Sequence, residues 1–143
     1  MTAWEALKGL TAHLSSAQTV DDIGRALLAV GQLYGWTNLT IIDATKLFSR
    51  LGPAILYTSW PRHVLEGFDA ALPLVQQPAY KRAQASDKPF LTSEARRVMG
   101  QGDDGGWSSL PGSEDHQEAL VVPVHVDGQF VWAAGFAGAD PDV

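Results

Sequence analysis

The residue types that carry chemistry are sparse and scattered. Cysteine is absent, which excludes disulfides, thiolate zinc sites and cysteine nucleophiles. The four histidines are His13, His63, His116 and His125, and no two stand at metal-ligand spacing. His116 lies in the acidic run Glu114-Asp115-His116-Gln117-Glu118, which reads as a solvated loop; no metal and no cofactor is expected. Serines do not accompany a histidine and a carboxylate in any triad order. G-x-S-x-G, H-E-x-x-H, P-loop and dinucleotide fingerprints are missing, and Gly102-Asp103-Asp104-Gly105-Gly106 is too loose to cradle a phosphate. The sequence therefore predicts no enzyme. The chemistry on offer is recognition by large aromatics. Five tryptophans occur at Trp4, Trp36, Trp60, Trp107 and Trp132, and a ring with a polar N–H serves a ligand pocket as well as a core.

Bulk properties bound what such recognition can address. The chain has 143 residues, 45% of them hydrophobic and 18% charged, enough for one globular domain over residues 1–143 with a buried core. Its net charge of -6 and pI near 5.0 repel phosphates and argue against direct nucleic-acid binding. No apolar run reaches the length of a membrane span. Glu5 and Lys8 interrupt the N-terminal apolar residues, so the start does not read as a signal peptide. A cytoplasmic location is expected.

The elements that must position these residues follow from periodicity. Trp4, Leu7, Leu10, Thr11 and Leu14 fall on one helical face. Thr19 reads as an N-cap, with Asp21 and Asp22 where the helix dipole favours them. Ile23, Ala26, Leu27, Val30, Leu33 and Tyr34 form the apolar stripe of that second helix, and Gly35 its C-terminal cap. Trp36 to Asp43 and Ala54 to Ser59 read as strands. Pro61 starts a helix with Val64, Leu65, Phe68, Ala71 and Leu72 inward. A further helix runs from Pro78 to Ala85, Phe90-Leu91-Thr92 is a short strand, and a short helix from Ser93 ends by Gly100. Gln101 to Glu114 is irregular, of a length typical of lids and binding loops. Ala119 to Val126 and Gln129 to Phe136 flank Asp127-Gly128, a type I′ hairpin, and Pro123 places its strand at an edge or beside a bulge. This order predicts an α+β fold, an α/β/α sandwich around a five-stranded, mostly antiparallel sheet of the GAF or PAS kind.

Three blocks add a resemblance. Tyr57-Thr58-Ser59-Trp60-Pro61, then Gln77-Pro78-Ala79-Tyr80-Lys81-Arg82-Ala83, then Lys88-Pro89-Phe90 resemble the central part of LuxR-type autoinducer-binding domains. Leu120-Val121-Val122-Pro123-Val124-His125, Asp127-Gly128 and Ala137-Gly138-Ala139-Asp140-Pro141-Asp142 are similar to their final hairpin. The likeness covers nearly the whole chain. It implies the sensor domain of a quorum-sensing transcription regulator, binding an acyl-homoserine lactone between sheet and helices.

Matched residue by residue, the polar contacts of that pocket are altered. The position of the family's acyl-reading Tyr holds Trp60, which still offers a donor. The lactone-reading Trp is matched by Val64, a second Tyr by Phe68 and the amide-reading Asp by Gln77. An aromatic wall position holds Thr92, a late-strand Ser/Thr position Ala134, and a Gly before the hairpin Ala119. Trp132 joins the expected lining from the hairpin. Each unpaired amide costs about 1–3 kcal/mol, so several losses together weaken ordinary lactones on the order of 10²–10⁴-fold. The expected ligand is a small apolar or acyl-lactone-like molecule; the alternatives are a core filled by Trp60, Phe68, Phe90 and Trp132, or a GAF-like sensor for another ligand. The chain stops after the hairpin, before the dimerisation helix and helix-turn-helix of the resembled family. The resemblance thus implies a homodimer, or a heterodimer that antagonises a related regulator.

Overall fold

The computed structural model describes residues 2–46, 52–63, 78–98 and 118–138. Helix α1 (Ala3–Ser16) opens with Thr2, whose hydroxyl accepts from the Glu5 N–H while the Glu5 carboxylate accepts from the Thr2 N–H. Two otherwise orphaned donors are satisfied by this reciprocal pair. Helix α2 (Val20–Gln32) is capped by Thr19, which accepts from the Asp22 N–H at 3.1 Å, as its sequence predicts. Gly35 is left-handed (φ 88°), and the Trp36 N–H returns to the Gly31 carbonyl. That closure ends α2 and turns the chain into the sheet.

Strands β1 (Asn38–Asp43), β2 (Ile55–Thr58), β3 (Phe90–Leu91), β4 (Glu118–Val126) and β5 (Gln129–Gly138) form one sheet in the order β2-β1-β5-β4-β3. Every pairing is antiparallel, so the fold is α+β. Helices α3 (Pro78–Ala85) and α4 (Thr92–Val98) flank β3. Thr92 belongs to α4 rather than to the preceding strand. The hairpin turn has positive φ at both Asp127 and Gly128, the type I′ geometry.

Register assigns the two faces of the sheet. Tyr57, Ile41, Ala134 and Val122 form one cross-strand row; Leu39, Phe136, Leu120 and Leu91 form another. Both lie on the face that α2 covers. Gly24 and Gly31 allow this approach: a Cβ on Gly24 would stand 2.3 Å from the Tyr57 ring, and one on Gly31 2.9 Å from Phe136. The opposite face carries Phe90 and Val121, which pack with Ala83 of α3 and Ala95 of α4. A bulge between Val124 and His125 leaves Val131 unpaired in β5 and brings Phe130 opposite His125. Phe130 thereby reaches Tyr80, with ring centroids 6.4 Å apart. The His125 Nε2 bonds the Ala83 carbonyl at 2.7 Å, tying the hairpin to α3. Pro123 pairs only with β5, beyond the two residues that β3 matches, so the bulge follows it closely.

The apolar stripes of the first two helices are covered only in part. Trp4, Leu7 and Leu14 are exposed, as are Leu33 and Tyr34, while Ala6 is buried. The reason is placement: α1 packs on α2 rather than on the sheet, and a helix-on-helix contact covers a narrow stripe. Among the described residues no helix is long and apolar enough to cross a membrane.

Candidate functional site

The candidate site is the part of the sheet opposite α2, over β2, β1 and β5. Strand pairing aligns Thr58, Thr40, Gly135, Val121 and Phe90 in a single row across all five strands. The flanking rows on that face are Ile55, Ile42, Ala133 and Pro123 on one side and Asn38, Ala137 and Ala119 on the other. These rows contain no charged residue. Their apolar end lies beneath α3 and α4. Their other end is polar.

Small side chains make the middle of this face low. Ala133 and Ala137 are buried, and between them, among the described residues, a Cβ on Gly135 would have no atom within 4 Å. Small residues inside a strand mark a close approach by something else. Neighbouring strands lie about 4.8 Å apart, so the space over Gly135 begins one strand spacing from Thr40.

The polar end is ordered by hydrogen bonds. The Thr40 and Thr58 hydroxyls lie 2.9 Å apart, and Thr58 Oγ1 also accepts from the Trp60 N–H at 3.1 Å. Ser59 Oγ accepts from the Leu39 N–H at 2.9 Å and donates to Asn38 Oδ1 at 2.8 Å. These bonds pin the end of β2 to β1 and place Trp60, which is half-buried, next to the threonine pair.

The expected site residues separate on this framework. Trp60 sits beside the candidate site. Thr92 does not present a free hydroxyl: it donates to Glu118 at 2.6 Å and accepts from the Ala119 N–H at 3.2 Å. It joins the start of α4 to β4. Trp132 and Ala134 share the face of Phe136, because no bulge intervenes along β5 between them. Both therefore point away from Phe90 and Thr40, and Trp132 is 40% exposed beside exposed Val124 and Val126. These two leave the expected pocket lining. Phe90 fills core under α3 and α4, not open space. Val64, Phe68 and Gln77 lie outside the described residues, as do Trp107, His116, the irregular segment 101–114 and most of the helix expected after Pro61.

Glu118 is a partly buried carboxylate whose ionised form is favoured by its neighbours. Burial pushes its carboxyl up, but hydrogen bonds from Ser93, Thr92 and the Ala119 N–H outweigh this and hold it below its ordinary value. Its role is a clamp between β4 and α4. Among the described residues no group of three or more His, Asp or Glu could hold a metal ion.

Sequence reasoning missed Thr40, Thr58 and Gly135. The available signals were the small-residue run Ala133-Ala134-Gly135 inside a strand and the alternation of Thr40 with Leu39 and Ile41. Both indicate that one face is kept low and polar. No protein-family model matches the chain, and no curated protein matches it.

Proposed function

We propose that this chain is a non-enzymatic small-molecule sensor domain of the LuxR autoinducer-binding type, cytoplasmic, with altered recognition of acyl-homoserine lactones. The observation that carries this is the low, uncharged sheet face around Gly135. It is bordered by the threonine pair and Trp60 on one side and by Phe90, α3 and α4 on the other. A surface of this kind accepts an apolar body and supplies few, placed polar contacts. Among the described residues these rows offer an anion no counter-charge, and an unpaired buried charge is expensive.

Thermal unfolding with acyl-homoserine lactones and with apolar cell extract tests the proposal. A ligand at a hundred times its Kd adds about 2.7 kcal/mol and raises Tm by several degrees. A shift with lactones identifies a quorum sensor; a shift with extract alone identifies a different apolar signal. No shift with either sinks the sensor reading.

One observation favours a second reading, a docking module that pairs with a related regulator. Trp4, Leu7 and Leu14 on α1 and Val124, Val126 and Trp132 on the hairpin are exposed. Exposed apolar stripes of this kind, one on α1 and one on the hairpin, are typical of interaction surfaces.

A further inference from the structure

We propose that the Thr40–Thr58 pair is a hydrogen-bond donor site for a carbonyl oxygen, and that the ligand is a slender or flat uncharged molecule whose carbonyl lies at the β1–β2 end with its apolar body across Gly135. This rests on the ligand-pocket reading above and specifies the chemistry of that pocket. None of the residues matched by the family resemblance supplies this contact.

The argument is a count of protons. Each threonine hydroxyl has one O–H donor and two acceptor lone pairs. The two oxygens share one hydrogen bond, and Thr58 Oγ1 receives a second from the Trp60 N–H. If Thr58 donates to Thr40, the Thr40 proton has no acceptor. If Thr40 donates to Thr58, the Thr58 proton has none, since its oxygen already accepts twice. In either arrangement, among the described residues, the pair keeps one donor in hand. Both side chains are half-buried, the sheet rows around them carry no charge, and among the described residues no atom comes within 4 Å of a Cβ placed on the adjoining Gly135. A carbonyl oxygen complements one leftover O–H. A carboxylate does not fit, because it would bring a charge without a counter-charge.

The geometry also sets the shape of the ligand. From Thr40 the row continues over Gly135 to Val121 and Phe90. The flanking Ala133 and Ala137 keep the floor level, so a flat ring system or an extended chain lies along it. Bulk is admitted at Gly135 and stops where Phe90 packs beneath α3 and α4.

An acyl-dimethylaminonaphthalene dye is a direct probe, because its carbonyl accepts hydrogen bonds and its emission moves to the red when it does. The same naphthalene without the acyl group is the control. The unaltered chain should bind both, with the acyl dye's infrared carbonyl band lowered relative to hydrocarbon solution. Thr40→Val/Thr58→Val should weaken the acyl dye about fivefold to tenfold, the equivalent of one hydrogen bond. It should move its emission to the blue and leave the control dye unchanged. Gly135→Val should exclude both dyes. Loss of folding in the double variant would show as loss of the control dye, and the infrared band on the unaltered chain then decides alone. Equal binding of both dyes with a hydrocarbon-like carbonyl band overturns the donor assignment and leaves the pocket standing. Binding of neither dye to the unaltered chain overturns both.

Discussion

The two faces of the sheet use glycine for opposite ends. Under α2, Gly24 and Gly31 are glycine because aromatic rings occupy the place of their side chains: Tyr57 stands over one and Phe136 over the other. On the far face Gly135 has no such neighbour. Beneath α2 the first face is closely packed, helix and sheet approaching until ring meets backbone, while its hairpin end stays exposed at Val124, Val126 and Trp132. The second is kept low. A closed core tolerates little change in volume, whereas a recess is defined by the volume it does not fill. The same residue type thus serves close packing at Gly24 and Gly31 and an unfilled position at Gly135.

The largest effect should come from closing the wrong side. Gly24→Val places a branched side chain where the Tyr57 ring already stands, and Tyr57 is held in register against Ile41. Overpacking of this kind costs about 3 kcal/mol, at the upper end of its usual range, and the better helix propensity of valine returns only a fraction of that. Denaturant unfolding should show a marked fall in midpoint. An unchanged midpoint would mean that α2 stands further from the sheet and that the contrast between the faces is lost.

Much of this framework was legible in the sequence, and the part that was not has a physical cause. The Thr19 cap, the Gly35 terminus and the Asp127-Gly128 turn are local, fixed by a few bonds between near neighbours. The five strands followed from alternation and turn residues. The assignment of faces did not, because it depends on register, and a single bulge reverses every side chain beyond it. Trp132 was expected in the pocket as a hairpin aromatic and Ala134 through the resemblance. Only the pairing of Ala134 with Ile41 and of Phe136 with Leu39 shows that they stand on the α2 side. The bulge at Val131 then turns Phe130 the other way, toward Tyr80. Likewise Thr40 and Thr58 are distant in sequence and became a pair only through β1–β2 pairing. The exposure of the α1 stripe could not be read in advance, because amphipathic periodicity shows that a face is apolar, not that something covers it.

A middle-sized effect belongs to the joint between β4 and α4. Glu118 accepts from Thr92 Oγ1 and from the Ser93 and Ala119 N–H groups, so Glu118→Ala leaves three donors to find water and costs about 2 kcal/mol. Its carboxyl is held below the ordinary value of 4.5, so its contribution is present above that pH and is lost as pH falls through the lowered value. Glu118→Gln should therefore differ from the unaltered chain most at neutral pH and converge with it in acid. A difference that persists unchanged to acid pH would assign the joint to packing and not to the carboxylate.

The smallest effect is the one that tests the comparison most closely. Gly135→Ala adds a methyl group where no atom of the described residues lies within 4 Å. Glycine in a strand interior is less favourable than alanine by roughly 0.5–1 kcal/mol, through the freedom its backbone loses on folding. With nothing to displace, that gain is kept, and thermal unfolding should move up by a few degrees. The sign is what matters. If both faces were sealed alike, Gly135→Ala would behave as a mild form of Gly24→Val and lower the Tm. A rise means that position 135 carries glycine against the preference of stability. Stability alone would then favour a larger residue there, which is the result the proposed recess requires.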